Sequence, residues 1–209
     1  MPRKVFFSFH YQPDIHRVNV VRQSNLTHDL DATDSYIDRS LWESAKSNSE
    51  ASLKQLIQNQ MHGSSVVCVL AGTETWKRRW VRYEIARAVI ENKGLLTVYI
   101  DGVKCMSTQM TCNRGANPLA QMAICRRSDD SKYYLCDWSN EGKWRWYPDY
   151  TLPVDPPAFL PAIQPGGLSQ LSNGTHGYDY VQQNGYRNLS GWVEDAAMAV
   201  GRRGAGLLG

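Results

Sequence analysis

No stretch of this sequence approaches the roughly 20 consecutive apolar residues of a membrane-spanning helix, so no membrane partner is expected. The basic start, Met1 to Lys4, leads into an apolar run, Val5 to Phe9, too short for the core of a signal peptide. None of the five cysteines (Cys68, Cys105, Cys112, Cys125, Cys136) has a close partner at metal-binding spacing. The histidines include no His-Glu-x-x-His, so no metal site is expected. An odd cysteine count without an export signal suits a reducing cytosol, and the expected location is cytoplasmic. The net charge of +3 over 209 residues is too small to suggest a nucleic-acid partner. No internal repeat is present.

What the chain does have is an alternation of buried strands and amphipathic helices. Val5 to Phe9 is an unbroken apolar run of the kind found in central parallel strands, with Ser8 interrupting it near its end. Pro13 then suits the first turn of a helix whose apolar face carries Ile15, Val18 and Val21, with Arg17 and Arg22 turned to solvent. Asn25 to Ser35 reads as a polar surface loop, and Tyr36-Ile37 as part of a short strand. Both Ser40-x-x-Glu43 and Ser47-x-x-Glu50 fit a capping box; the set Leu53, Leu56, Ile57 and Met61 favours the second as the main start. Gly63 is a reasonable stop. Strand Val66 to Leu70, a helix from Trp76 to Ile90 stopped by Gly94, and strand Leu95 to Ile100 follow. The pattern implies right-handed crossovers and a parallel sheet between helices. In such sheets ligands sit beyond the carboxyl ends of the strands.

Beyond Asp101 the signals weaken. Residues 104–127 read as a long loop. Lys132 to Trp138 and Lys143 to Tyr147 flank Ser139 to Gly142 as a hairpin, whose Trp144 and Trp146 are expected to form a lid on the core rather than a base-stacking platform. Six of the nine prolines fall in 148–165, an extended surface segment, and a last helix runs from Ser190 to a stop at Gly201. The expected organisation is one main domain, 1–128, with an extension, 129–203, packed on it and a disordered tail, 204–209.

The helix from Trp76 to Ile90 organises the rest. At about 100° per residue, Val81, Ile85, Ala88 and Val89 form one apolar stripe. Glu84 lies roughly 60° from its centre, with Trp80 one turn before it on the same flank. From spacing alone Glu84 is either a partly desolvated carboxylate facing a cleft or an ordinary solvated glutamate. Trp80 is read as a core shelf or a substrate contact, and Tyr83 points about 100° away from Glu84. Asp38 and Trp42 either close over a ligand or serve as a turn cap and packing, and His10 lines a pocket or satisfies a loop. Lys77, Arg78, Arg79 and Arg82 stand near a helix start where a pyrophosphate can bind, or form a solvated face.

Thr73-x-x-Trp76-x-x-x-Trp80-Val-Arg-Tyr-Glu84-Ile after a buried strand resembles the signature of the Toll/interleukin-receptor (TIR) domain, in which a tryptophan lies four residues before a glutamate. Val5-Phe-Phe-Ser-Phe-His-Tyr11, Arg17-Val-Asn-Val-Val-Arg22, Ser40-Leu-Trp-Glu43 and Arg79-Trp-Val-Arg-Tyr-Glu84 are similar to the TIR-like Thoeris ThsB family. The resemblance covers about residues 4 to 100 and implies an α/β, TIR/flavodoxin-like fold: a parallel sheet flanked by helices, here with a C-terminal β-hairpin and helix. It implies a bacterial anti-phage enzyme that answers a phage-derived trigger by cleaving NAD+ as substrate, with no other cofactor. The product would be a cyclic ADP-ribose isomer acting on a separate ThsA effector. The catalytic glutamate falls on Glu84, and the implied substrate-binding candidates are Ser8, Phe9, His10, Tyr11, Asp38, Trp42, Trp80 and Tyr83. His10 and Tyr11 stand where many enzymatic TIR domains carry basic residues. Whether a homo-oligomer forms is left open.

The chemistry suits these residue types. Nicotinamide leaves NAD+ as a neutral molecule, so no general acid is required. One ionised carboxylate near the ribose can stabilise the oxocarbenium-like transition state, and a dry aromatic pocket favours capture by the adenine ring or a hydroxyl over water. Two rivals stand beside this reading: a non-catalytic TIR-like interaction module, and another N-glycosyl enzyme such as a nucleoside deoxyribosyltransferase.

Overall fold

The computed structural model describes the backbone of residues 3–23, 30–31 and 39–202, and the side chains of 3–23 and 42–202. Asp38, the strand expected at Tyr36-Ile37, most of the loop expected over Asn25–Ser35, and the tail 204–209 lie outside the described residues. The first half follows the expected alternation. Strand β1 (Arg3–Ser8) leads to helix α1 (Tyr11–Gln23). A two-residue strand β2 (Leu30–Asp31) falls within the segment expected to be loop. Two helices come next, α2 (Arg39–Asn48) and α3 (Glu50–Met61), so neither expected start prevails alone. The cap of α3 is Ser49, whose hydroxyl accepts from the backbone N–H of Ser52, and not Ser47.

Strand β3 (Val66–Ala71) is buried along its whole length. A short 3₁₀ turn (Thr75–Lys77) then delivers helix α4 (Arg79–Ile90), followed by β4 (Gly94–Tyr99). Gly94 opens the strand instead of stopping the helix. A Cβ there would stand 2.4 Å from the carbonyl oxygen of Ala196, so glycine is needed for close approach to the last helix.

The second half holds what the sequence reading missed. Within the expected long loop lies β5 (Met122–Arg126), followed by the expected hairpin, β6 (Tyr133–Trp138) and β7 (Trp144–Trp146). Then come β8 (Leu168–Gln170), β9 (Gly177–Asp179) and α5 (Gly185–Met198), which starts five residues before the expected Ser190. Two sheets result. The parallel one has the order β2-β1-β3-β4-β9, the doubly wound arrangement of flavodoxin-like folds. The other is antiparallel, β7-β6-β5-β8. The boundary drawn at 128/129 therefore runs between two paired strands, β5 and β6, and the extension supplies the fifth strand of the parallel sheet.

The period-two alternation of β1 decides what meets what. Val5 and Phe7 face α1 and α5, packing with Val18, Val21, Leu189 and Val193. Phe6 faces α3 and α4, with Leu53, Ile57, Val81 and Ile85. The inner face of the antiparallel sheet (Met122, Ile124, Leu135, Tyr147) closes that second core. The lid is thus made by these residues and not by the expected tryptophans. Trp144 packs edge-on to Trp138, and Trp146 is 55% exposed on the outer face. On that face Cys125 and Cys136 form a disulfide that their spacing did not signal. Among the described residues no helix is long and apolar enough to cross a membrane.

Charge ties the second sheet to α4. Buried Arg82 donates to the Asp137 carboxylate at 3.0 Å and to the Trp138 carbonyl, while Arg145 donates to both Asp137 oxygens. Removing the carboxylate strands a buried guanidinium. Asp137→Ala is expected to lower unfolding free energy by roughly 3 kcal/mol, read from urea denaturation; a loss below about 1 kcal/mol would mean the pair does not fasten the sheet.

Candidate active site

Ser8 has the parity of Phe6, so at the carboxyl end of β1 its side chain turns towards α4. One helical turn into α4, Glu84 comes to meet it. Ser8 Oγ donates to Glu84 Oε2 at 2.5 Å, with Ser8 1% and Glu84 6% exposed. Among the described residues no cation forms a salt bridge with this carboxylate. Burial therefore favours the neutral acid and pushes Glu84 up to about 8, with the Ser8 hydrogen bond opposing. The helical arithmetic put Glu84 at the border of the apolar stripe; the structure puts it behind that border, in a nearly dry place.

Glu84 forms part of the wall of a cleft of about 310 Å³ at the strand ends. Phe9, His10, Tyr11, Trp42 and Trp80 line it too, with Phe6, Phe7 and Val81. Phe9 and Tyr11 stack at 6.0 Å between ring centroids, and Trp42 meets Trp80 edge-on at 5.8 Å. His10 is held below the ordinary imidazole value by burial and by Arg78, with Glu74 opposing, so the neutral ring faces the cleft near pH 7. Among the described residues its Nδ1 has no hydrogen-bond partner.

Six of the proposed site residues thus meet in one cleft: Phe9, His10, Tyr11, Trp42, Trp80 and Glu84. Ser8 acts on Glu84 from behind it. Tyr83 does not join them. It is buried, packs edge-on to Trp80 without lining the cleft, and its hydroxyl accepts from Gln58. The helical geometry already pointed it about 100° from Glu84. Asp38 lies outside the described residues.

The basic run also divides. Arg79 forks onto Glu50 and Asp149, Arg82 onto Asp137, and Lys77 pairs with Glu74. Of the four only Arg78 lines the cleft, joined there by Lys46, Glu43 and Gln12, which sequence reasoning did not single out. Arg17, expected in solvent, is buried. It donates to the carbonyls of Val103, Pro13 and Met110, fixing α1 to the loop after β4.

The profile of "Thoeris protein ThsB, TIR-like domain" matches residues 6–105. A "Putative cyclic ADP-D-ribose synthase ThsB1" from Bacillus cereus (strain MSX-D12) is 37% identical over 194 residues, covering 92% of this chain and all of that protein. The chain belongs to the Thoeris ThsB family. The ThsB profile spans every described residue named above in the cleft and ends in the loop after β4. The likeness to ThsB1 continues through most of the chain.

The raised Glu84 value has a thermodynamic consequence. The folded protein keeps a proton that the unfolded chain gives up above the ordinary glutamate range. Wild-type stability therefore falls as pH rises from about 4.5 through about 8. Glu84→Gln lacks this loss. Its unfolding free energy is expected to gain on the wild type progressively between pH 5 and 9, by an amount on the order of a few kcal/mol at the alkaline end, read as a rising melting temperature of the variant relative to the wild type. Parallel melting curves across that range would show that the carboxyl ionises normally.

Proposed function

We propose that this protein is a TIR-class enzyme that cleaves the nicotinamide–ribose bond of NAD+ and closes the remainder into a cyclic ADP-ribose isomer. The observation that carries the reading is a buried glutamate, free of any ion pair among the described residues, facing an aromatic cleft at the carboxyl ends of a parallel sheet. The name of the B. cereus relative supports the same product class.

The residues suit the steps. The substrate's pyridinium brings the positive charge that the Glu84 site lacks, and an opposite charge within a few ångström favours the ionised carboxylate. The proton leaves to solvent as the substrate enters. Glu84 then stabilises positive charge as it moves from the nicotinamide ring to the ribose. Nicotinamide departs neutral, with the electrons of the broken C–N bond. The walls of Phe9, Tyr11, Trp42 and Trp80 exclude water and hold the adenine end near the ribose, so an adenine nitrogen or a ribose hydroxyl captures the cation and loses its proton if it was a hydroxyl. Lys46 and Arg78, the latter shared with Glu74, line the same cleft and would offer positive charge to the pyrophosphate. In the cell, this activity would follow a phage-derived trigger, and the product would act as a diffusible messenger on a ThsA effector.

The test is nicotinamide release from NAD+ by purified protein, or by lysate of phage-infected cells, with the cyclic product read by mass spectrometry. Glu84→Gln is expected to lower release at least about 100-fold while circular dichroism is retained. Equal release by the variant would remove Glu84 from the reaction. Trp80→Ala, which opens the wall beside Glu84, is expected to raise the share of linear ADP-ribose over cyclic product. An unchanged product ratio would mean that this wall does not exclude water.

A further inference from the structure

Glu84 has two oxygens, and only one is taken up inside the protein. Oε2 receives the Ser8 hydroxyl at 2.5 Å, a contact between two buried side chains 76 residues apart in sequence. No other hydrogen bond to the carboxyl exists among the described residues, so its second oxygen, Oε1, is the one left for a ligand in the cleft that Glu84 lines. The titratable groups around the same cleft are His10 and Tyr11 from the β1 end and the start of α1, Glu43 and Lys46 from α2, and Arg78 ahead of α4. None of these forms an ion pair with Glu84. The titratable group of strand β3, the buried thiol of Cys68, points to the other face of the sheet with Phe7 and is held neutral by burial. Among the described residues, the one polar group hydrogen-bonded to the carboxyl is therefore the Ser8 hydroxyl.

We propose that Ser8 is a positioning residue for Glu84: its hydroxyl pins Oε2, turns Oε1 towards the sugar, and sets the pH above which the carboxylate is ionised and the enzyme works. This rests on the NAD+-cleaving reading and assigns Ser8 a role through Glu84 instead of direct substrate contact. A hydroxyl that donates to a carboxylate stabilises the charged form more than the neutral one. Without it the carboxyl ionises at higher pH, and its plane is no longer fixed. The site on β1 suits the task because a strand in mid-sheet, paired through Ser8 opposite Val69, cannot shift without breaking its ladder.

The experiment compares wild type with Ser8→Ala, Ser8→Thr and Ser8→Cys in two readouts. The first is the carboxyl titration of Glu84 in the free protein, by ¹³C NMR, with Glu84→Gln as the assignment control. The second is the pH profile of nicotinamide release. Ser8→Ala is expected to move the titration midpoint and the acid limb upward together, by roughly one pH unit. Release would drop about tenfold near pH 6.5 and recover most of the way at pH 9. Ser8→Thr keeps the donor and should keep both midpoints. Ser8→Cys, similar in size but a weak donor, should shift them in the same direction as alanine, and serves if the alanine variant does not fold. Unmoved midpoints in both Ser8→Ala and Ser8→Cys, or in the one that folds, would overturn the proposal, as would a uniform loss of release at every pH. A titration that moves while release does not would leave Ser8 tuning Glu84 but take Glu84 out of the chemistry. Failure of the functional reading and failure of this proposal are thereby told apart.

Discussion

A carboxyl group withdrawn from water with no cation beside it is an expensive thing for a fold to hold, and the molecule is arranged to hold one. The unpaired acid of Glu84 is tolerated because it stays neutral and has the Ser8 hydroxyl opposite. The residual cost is a reason to bind: any ligand that brings positive charge into the cleft relieves it. Substrate recognition and catalytic charge stabilisation would then draw on the same interaction, which suits a reaction whose leaving group begins as a cation and ends neutral.

Such a site needs a rigid wall, and the basic run at the head of α4 provides it. Arg79 forks onto Glu50 of α3 and Asp149 of the segment after β7, with Lys54 joining the same acids. At Asp149 burial works against ionisation, but Arg79 and Lys54 prevail and hold the carboxyl down at about 2. Arg82 adds the buried pair to Asp137. Helix α3, strand β6 and the segment after β7 are thereby fastened to the helix that carries Glu84. On the opposite side Arg17 ties α1 to the loop after β4, and Asp14 sits against Gly72, where a Cβ would meet its oxygens at 2.4 Å.

The parallel strands were legible because strands covered on both faces are continuous apolar runs, as in Val66–Ala71. Strands β8 and β9 were not, because three residues such as Gly177–Asp179 carry no pattern; the edge of β5 recruits β8 and the edge of β4 recruits β9. The start of α5 escaped for a similar reason. Asn184 enters it in a left-handed conformation, and Gly185 is required where Tyr180 leaves no room for a side chain. In the site, the spacing from Trp80 to Glu84 and the resemblance to TIR domains located the cleft, and Phe9, His10 and Tyr11 followed from the rule about strand ends. Spacing could not say which of four neighbouring cations faces it. The acids that claim Arg79 and Arg82, Asp149 and Asp137, are more than fifty residues downstream. Arg17 looked solvated because a helical wheel cannot see the carbonyls of a distant loop.

The fifth strand of the parallel sheet has a bearing on how the chain is born. Thr97 pairs with Gly177, eighty positions apart, and the whole antiparallel sheet is synthesised between them. All described residues of the cleft are made before β4 is complete, yet the edge of β4 stays uncovered until β9 has been made. Pairings of such long range form slowly, and open edges invite mispairing while they wait. A chain that has made β4 but not yet β9 carries every described group of the cleft on a sheet that still lacks its fifth strand.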